Sequence, residues 1–166
     1  PDNDHAADLY SLTQEITTAH GLPAYEISNH ARPGAESRHN LTYWRYGEYV
    51  GVGPGAHGRF VENGRRTVTI AERMPETWAN LVEAKGHGVT GGEILTRSEE
   101  ADEFLLMGLR LAEGIDLAAL AARCGSVPDA LIEPAKLALD EGLGLAWRKD
   151  GRIGVSPQGM PLLDAL

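Results

Sequence analysis

A mixed fold, α/β to α+β and organised in two small units, is what this sequence predicts, and three patterns predict it. A helix-period segment over residues 5–20 runs through Gly21 into the alternating stretch LPAYEISN, which is half of a βαβ unit. Asn63-Gly64 lies between two β-prone runs and signals a hairpin. Beyond residue 93, three helical segments precede a second hairpin at Asp150-Gly151, the order of a winged-helix unit. With 166 residues the chain can bury one good core or two small ones.

Each element has its own justification. In residues 5–20, Leu9, Leu12 and Ile16 share a helix face, and Gly21 stands where a C-terminal cap belongs. In the next stretch Tyr25 and Ile27 alternate with Glu26 and Ser28, so a short strand is expected to end near Asn29. HARPGAESRHN (30–40) holds Pro33 and Gly34 without periodicity and reads as a loop. YGEYVGVG (46–53) is a candidate for a second, buried strand, and HGRFVENGRRTVTI is the hairpin. PETWANLVEAK (75–85) has Pro75 in its first turn and Gly86 after its end, so it reads as a helix. GHGVTGGE reads as a linker.

The organisation then changes. Thr96 or Ser98 caps a helix expected to reach about Ala112, with Phe104, Leu105, Leu109 and Leu111 on its apolar face. LAALAARCG (117–125) is a second helix, and residues 128–142 form a third between Pro128 and Gly142. The strand–turn–strand GLAWRKDGRIGVS and a final helix in PQGMPLLDAL complete the chain. The expected divisions are 1–74, a connecting helix and linker over 75–92, and 93–166.

Composition narrows the function. No apolar run approaches the roughly 18 residues of a membrane span, so the chain is expected to be cytoplasmic, with peripheral membrane association at most. The N-terminus lacks the basic and apolar regions of a secretory signal, and the solitary Cys124 cannot close an internal disulfide; it reads as a structural thiol. Residues 1–74 carry 7 basic and 9 acidic side chains, whereas 75–166 carry 8 and 15. The third C-terminal helix offers Glu133, Asp140 and Glu141 against Lys136, the reverse of a recognition helix, so no nucleic-acid partner is expected.

The chemistry concentrates in ESRHNLTYWRYGEYVGVGPGAHG (36–58). His39 can offer a nitrogen lone pair to a metal such as heme iron. Tyr43 and Trp44 can stack on or edge a porphyrin, and Arg38 and Arg45 can answer its propionates. Each piece also has an everyday explanation, a solvated histidine and a loop anchored by aromatics, and the residues alone leave both open. Gly51, Gly53, Gly55 and Gly58 allow close backbone approach, either to line a pocket or to form a bulged edge. The pattern is not GxGxxG before a helix, so a phosphate cradle is not indicated. A zinc site from His30, His39 and His57 would need the fold to assemble it.

YEISNHARPG, HNLTYW and YVGVGPGAHG, in that order, resemble the signature region of the oxygen-independent coproporphyrinogen-oxidase-like radical-SAM family, and within it the heme chaperone branch. EFLLMGLRLAEGID resembles that family's C-terminal domain. The resemblance implies the C-terminal part of a partial radical-SAM (β/α) barrel, followed by a small helical, winged-helix-like domain. It implies heme held by His39, with Asn40, Tyr43 and Trp44 completing the motif, and S-adenosylmethionine near Gly55, Ala56 and His57. Family members hold a [4Fe–4S] cluster on CxxxCxxC, a motif not found in these 166 residues. Ser37 stands where many relatives have cysteine, which leaves His39 as the axial-ligand candidate. The implied partners are heme and heme-acceptor proteins. Two other readings stay open: oxygen-independent coproporphyrinogen III oxidation, and an acidic winged-helix interaction module.

Overall fold

The structure, a computed structural model, describes residues 2–125 and 132–165. Helix α1 is Asn3–Ala19, and the Asp2 carboxylate caps it by accepting the His5 N–H at 2.8 Å. Gly21 takes a left-handed φ of 75° after its end. Leu9, Leu12 and Ile16 do form one stripe, but they stay 46–50% exposed.

The expected strand over 22–29 is not one. Tyr25 N–H donates to Asn29 C=O, so the backbone turns back on itself, and only isolated bridges remain, Ala24 to His30 and Glu26 to Leu111. Part of the expected 30–40 loop is helical. Helix α2, Arg38–Trp44, starts on Ser37, whose hydroxyl accepts the Asn40 N–H at 3.3 Å. HNLTYW is therefore a short helix rather than a loop.

The Asn63-Gly64 hairpin forms as expected. Strands β1 (His57–Glu62) and β2 (Arg65–Ala71) pair antiparallel, with both turn residues left-handed at φ 51° and 72°. Helix α3, Pro75–Lys85, follows and closes on left-handed Gly86. The residues expected to be a linker instead supply β3, Val89–Ile94, which pairs with β2 to give the sheet order β1-β2-β3. The expected strand over 46–53 contributes one bridge, Tyr49 to Arg59, and its Val50 and Val52 are 75% and 84% exposed rather than buried.

Thr96 and Glu99 form a reciprocal capping box at the start of α4, Arg97–Gly108. The helix ends four residues before the expected Ala112, because Leu111 turns back onto Gly108 and Gly114 onto Leu111. Next come β4 (Ile115–Asp116), α5 (Leu117–Cys124) and α6 (Pro134–Gly142). The expected third-helix start at Pro128, and the surroundings of the Cys124 thiol, lie outside the described residues. Strands β5 (Ala146–Lys149) and β6 (Arg152–Val155) make the second hairpin, and β4 joins it in the order β4-β6-β5. The final helix is 3-10, Met160–Ala165.

One buried cluster organises the second half. Ala101 and Phe104 of α4, Ile115, Leu120 of α5, Leu137 of α6 and Ile153 of β6 pack together. Tyr46, from the first half, enters the same cluster at 3% exposure. Burial of this kind contributes about 25 cal/mol per Å² of apolar surface, and Tyr46 thereby ties the candidate site to the C-terminal core.

Candidate functional site

Helix periodicity decides which motif residues meet. His39 and Tyr43 are four apart and share a face of α2, and their rings meet edge-on at 4.7 Å. Tyr43 packs in turn on Tyr49 at 4.4 Å, giving a ladder of three rings. His39 is exposed, whereas Tyr43 and Tyr49 are half-buried. Asn40 faces the preceding loop and donates its side-chain N–H to the Tyr25 hydroxyl at 3.2 Å. Tyr49 falls in the YVGVGPGAHG element but is not among the site residues expected from sequence; its spacing from Tyr43 across a turn carries no helical or strand periodicity that marks it.

Trp44 points elsewhere. It lines a cleft of about 200 Å³ with Phe104, Gly108 and Leu111, and the Arg110 guanidinium lies 5.8 Å from its ring centre. Its neighbour Arg45 is also committed: two N–H groups bond the Glu113 carboxylate at 2.8 and 2.9 Å. The hydrogen bond from Arg45 holds Glu113 below the usual carboxylate range against the opposing effect of burial. The motif therefore divides, with His39 and Tyr43 on an open face and Trp44 and Arg45 against the C-terminal half.

The corner after α2 is held by buried charge. Arg66, 1% exposed, donates to the carbonyls of Tyr46 at 3.3 Å and Gly47 at 2.7 Å, and its guanidinium lies 3.9 Å over the Tyr46 ring. Tyr46 adopts φ 56°, and its hydroxyl donates to Glu103 at 2.9 Å. Arg59 donates to the same carboxylate at 3.1 and 3.3 Å. Burial, reinforced by the bond to Glu103, pushes the Tyr46 phenol well above its ordinary value. Burial also raises Tyr49, with Arg59 opposing.

The glycine-dense segment folds back along β1. Tyr49 and Arg59 exchange backbone bonds of 2.7 and 2.8 Å, and a Cβ on Gly51 would lie 2.3 Å from the His57 carbonyl oxygen. Only glycine fits there. Gly55 N–H is spent on Glu72 C=O and Ala56 N–H on Gly53 C=O, while Ala56 C=O accepts from Ala71. His57 is exposed at the start of β1. The link between this segment and the ring ladder is Tyr49, whose ring touches Tyr43 and whose backbone pairs with Arg59, two residues past His57.

The donor chemistry suits an iron porphyrin: an exposed imidazole beside aromatic rings, with exposed Arg38 at the helix start. The zinc alternative is not assembled. Among the described residues no three His, Cys, Asp or Glu side chains gather into a metal-holding group, so His30, His39 and His57 do not form one.

Comparison with known proteins gives a concordant result. The HemN C-terminal domain family matches residues 95–162. Radical S-adenosyl methionine domain-containing protein 1, mitochondrial, of Bos taurus is 43% identical over 119 residues, covering 69% of this chain and 27% of that protein. Heme chaperone HemW of Mycobacterium tuberculosis is 36% identical over 166 residues, all of this chain and 39% of that protein. The solved radical-SAM coproporphyrinogen III oxidase HemN of Escherichia coli superimposes with a TM-score of 0.70 at 17% identity, over 99% of this chain and 40% of that one, a likeness of fold. The chain thus spans well under half the length of these relatives. With the family's signature residues in order along its first half and the HemN C-terminal domain in its second, the chain belongs to the HemW- and HemN-like radical-SAM family, as its C-terminal portion.

Proposed function

We propose that this chain is the C-terminal part of a radical-SAM-type heme chaperone, which binds heme and transfers it to acceptor proteins. One observation carries the reading: the exposed His39 imidazole is set edge-on against Tyr43, which is itself braced by Tyr49. Bound heme would supply an iron able to take an imidazole nitrogen as a ligand. His39 is that ligand. Tyr43 limits the swing of its ring, Asn40 anchors α2 to Tyr25, and exposed Arg38 answers a propionate. Arg45, engaged with Glu113, leaves that task to Arg38. Trp44 serves by seating α2 on α4 and not as a wall of the heme site.

The glycine loop is read as the adenosyl-facing part of a partial radical-SAM barrel. Because the Gly55 and Ala56 N–H groups already have backbone partners, S-adenosylmethionine is held there by close packing and by the exposed His57 side chain. A CxxxCxxC cluster needs three thiolates and this sequence has one cysteine, so no step passes through a cluster here. The acidic second half, read as winged-helix-like, is the surface for acceptor proteins. A cytoplasmic site fits, and among the described residues no helix is long and apolar enough to cross a membrane.

Coproporphyrinogen III oxidation is the second reading, supported by the fold likeness to HemN. Relatives named heme chaperone, 33% and 36% identical over nearly the whole chain, favour the first. The test is a heme titration followed by Soret absorption, with wild type against His39→Ala. Loss of affinity by about tenfold or more and a shifted Soret band are expected for an iron that loses its imidazole. An unchanged spectrum and affinity would remove His39 from the site.

A further inference from the structure

The cleft lined by Trp44 lies away from the His39 face of α2, because residues five apart are turned about 140° around a helix. Its volume is about 200 Å³, and a single water takes about 30 Å³ in the liquid, so there is room for one flat ring bearing a polar group. Asp116, Ala119 and Arg123, spaced three and four apart, turn one face of α5 toward it, and Trp44, Arg45 and Arg152 stand around that face. Phe104 and Leu111 form a buried base, whereas Trp44, Ala119, Arg123 and Arg152 keep surface open to solvent.

In a chain of net charge −9 this lining is cationic, with three arginines against Glu113 and Asp116. Both carboxylates are already engaged. Glu113 takes the paired bonds from Arg45, and Asp116 accepts the Ala118 and Ala119 N–H groups at 2.8 and 3.1 Å. Arg152 donates to the carbonyls of Glu113 and Gly114 at 3.0 and 2.8 Å. Arg123 differs. Its guanidinium lies 5.7 Å from the Phe104 ring centre and 5.8 Å from that of Tyr46, and the two rings, themselves 5.8 Å apart and nearly perpendicular, fix its head group. Among the described residues no oxygen accepts a hydrogen bond from that guanidinium. Glu100 and Glu103 of α4 answer other groups: Glu100 pairs with Arg97 at 3.6 Å, and Glu103 serves Tyr46 and Arg59. Arg123 therefore lines the cleft with its planar fork of donors unspent on the protein.

We infer that this cleft binds a flat aromatic carboxylate, its ring against the Trp44 indole and its carboxylate on the Arg123 guanidinium. The fork matches both carboxylate oxygens at once, and Arg45 and Arg152 add positive field without giving up their own bonds. The site does not depend on the heme reading, since neither Trp44 nor Arg123 belongs to the His39 face.

Benzoate is the probe, with benzamide as the ring without charge and acetate as the charge without ring. Binding is followed by nuclear magnetic resonance at the Trp44 indole N–H, assigned by its loss in Trp44→Phe. Benzoate should shift this resonance saturably. Benzamide should bind about tenfold more weakly, for want of charge-assisted bonds, and acetate about fivefold more weakly, for want of the stacked ring. Arg123→Gln should bring benzoate down to the level of benzamide, Arg123→Lys should restore only part of the difference, and Arg45→Ala should change benzoate affinity by no more than about twofold. No saturable shift, equal binding of benzoate and either control, or a loss in Arg45→Ala as large as that in Arg123→Gln overturns the inference. If Arg123→Gln does not fold, Arg123→Lys and the contrast among the three probes in the wild type decide it. Heme titration at the Soret band should be unaltered by saturating benzoate; competition would make the cleft part of the heme site and overturn a separate ligand.

Discussion

Arg45 and Glu113 stand 68 positions apart in sequence and face each other through paired N–H···O bonds of 2.8 and 2.9 Å. The pair joins the end of α2 to the turn after α4, and the planar fork geometry gives it direction as well as charge. Both side chains are half exposed, at 54% and 43%, so solvent screens the interaction. A double-mutant cycle with Arg45→Ala and Glu113→Ala should read a coupling of at most about 1 kcal/mol. Glu113 titrates below the ordinary carboxylate range when folded. Its contribution is therefore complete above the unfolded carboxylate pKa and lost as pH falls through the lowered folded value. Repeating the cycle by chemical denaturation at falling pH should show the coupling vanish.

Tyr43 and Trp44 are adjacent in sequence and should part in experiment. Trp44→Ala removes the aromatic wall of the cleft it lines with Phe104, Gly108 and Leu111 and should cost about 1–3 kcal/mol in urea unfolding. Tyr43→Leu should cost less and act mainly on heme affinity, since its contacts are His39 and Tyr49 on an open face. Equal loss of stability in both variants would contradict the division of the motif.

Tyr46 should report on the junction between the halves. Tyr46→Phe deletes the bond to Glu103 while Arg59 keeps that carboxylate paired, a loss of about 0.5–1.5 kcal/mol. The phenol of the folded protein titrates far above that of the unfolded chain. Its stabilising contribution is thus present below the ordinary tyrosine pKa and disappears as pH rises toward the elevated one. Ultraviolet titration should show Tyr46 ionising last, after Tyr10 and Tyr49, whose phenols are also raised, and Tyr46→Phe should abolish that last step.

Two glycines in the first half should differ sharply. At Gly64 a Cβ meets nothing within 4 Å, so Gly64→Ala incurs only the strain of its φ of 72°, about 1–2 kcal/mol. At Gly51 a Cβ would stand 2.3 Å from a backbone oxygen, and Gly51→Ala must open the loop. Amide exchange at Tyr49 and Arg59 should accelerate in Gly51→Ala and stay protected in Gly64→Ala.

A cap prediction completes the set. Thr96 and Glu99 satisfy each other's backbone N–H groups at the head of α4. Thr96→Ala should lower stability by about 1 kcal/mol, read as a shifted denaturant midpoint at constant slope.

By itself the sequence determined what is local. Asn63-Gly64 and Asp150-Gly151 take the left-handed angles that hairpins require, Pro75 and Gly86 bound α3, and Thr96 starts α4, because each depends on a few neighbouring dihedrals and caps. The His39–Tyr43 pairing follows from a spacing of four, although α2 itself was hidden by its length of seven residues and its proline- and glycine-bearing approach. Tertiary structure alone decided the rest. Whether 46–53 and 89–94 are strands depends on which backbone pairs with them, so the first stretch makes only the Tyr49–Arg59 bridge while the second completes a sheet. The separation of Trp44 from Tyr43 and the Arg66–Tyr46–Glu103–Arg59 junction rest on contacts across about twenty residues or more, and Tyr49, only six residues past Tyr43, meets it in a chain whose backbone is held to Arg59. No local preference encodes such contacts; burial and long-range pairing select them together.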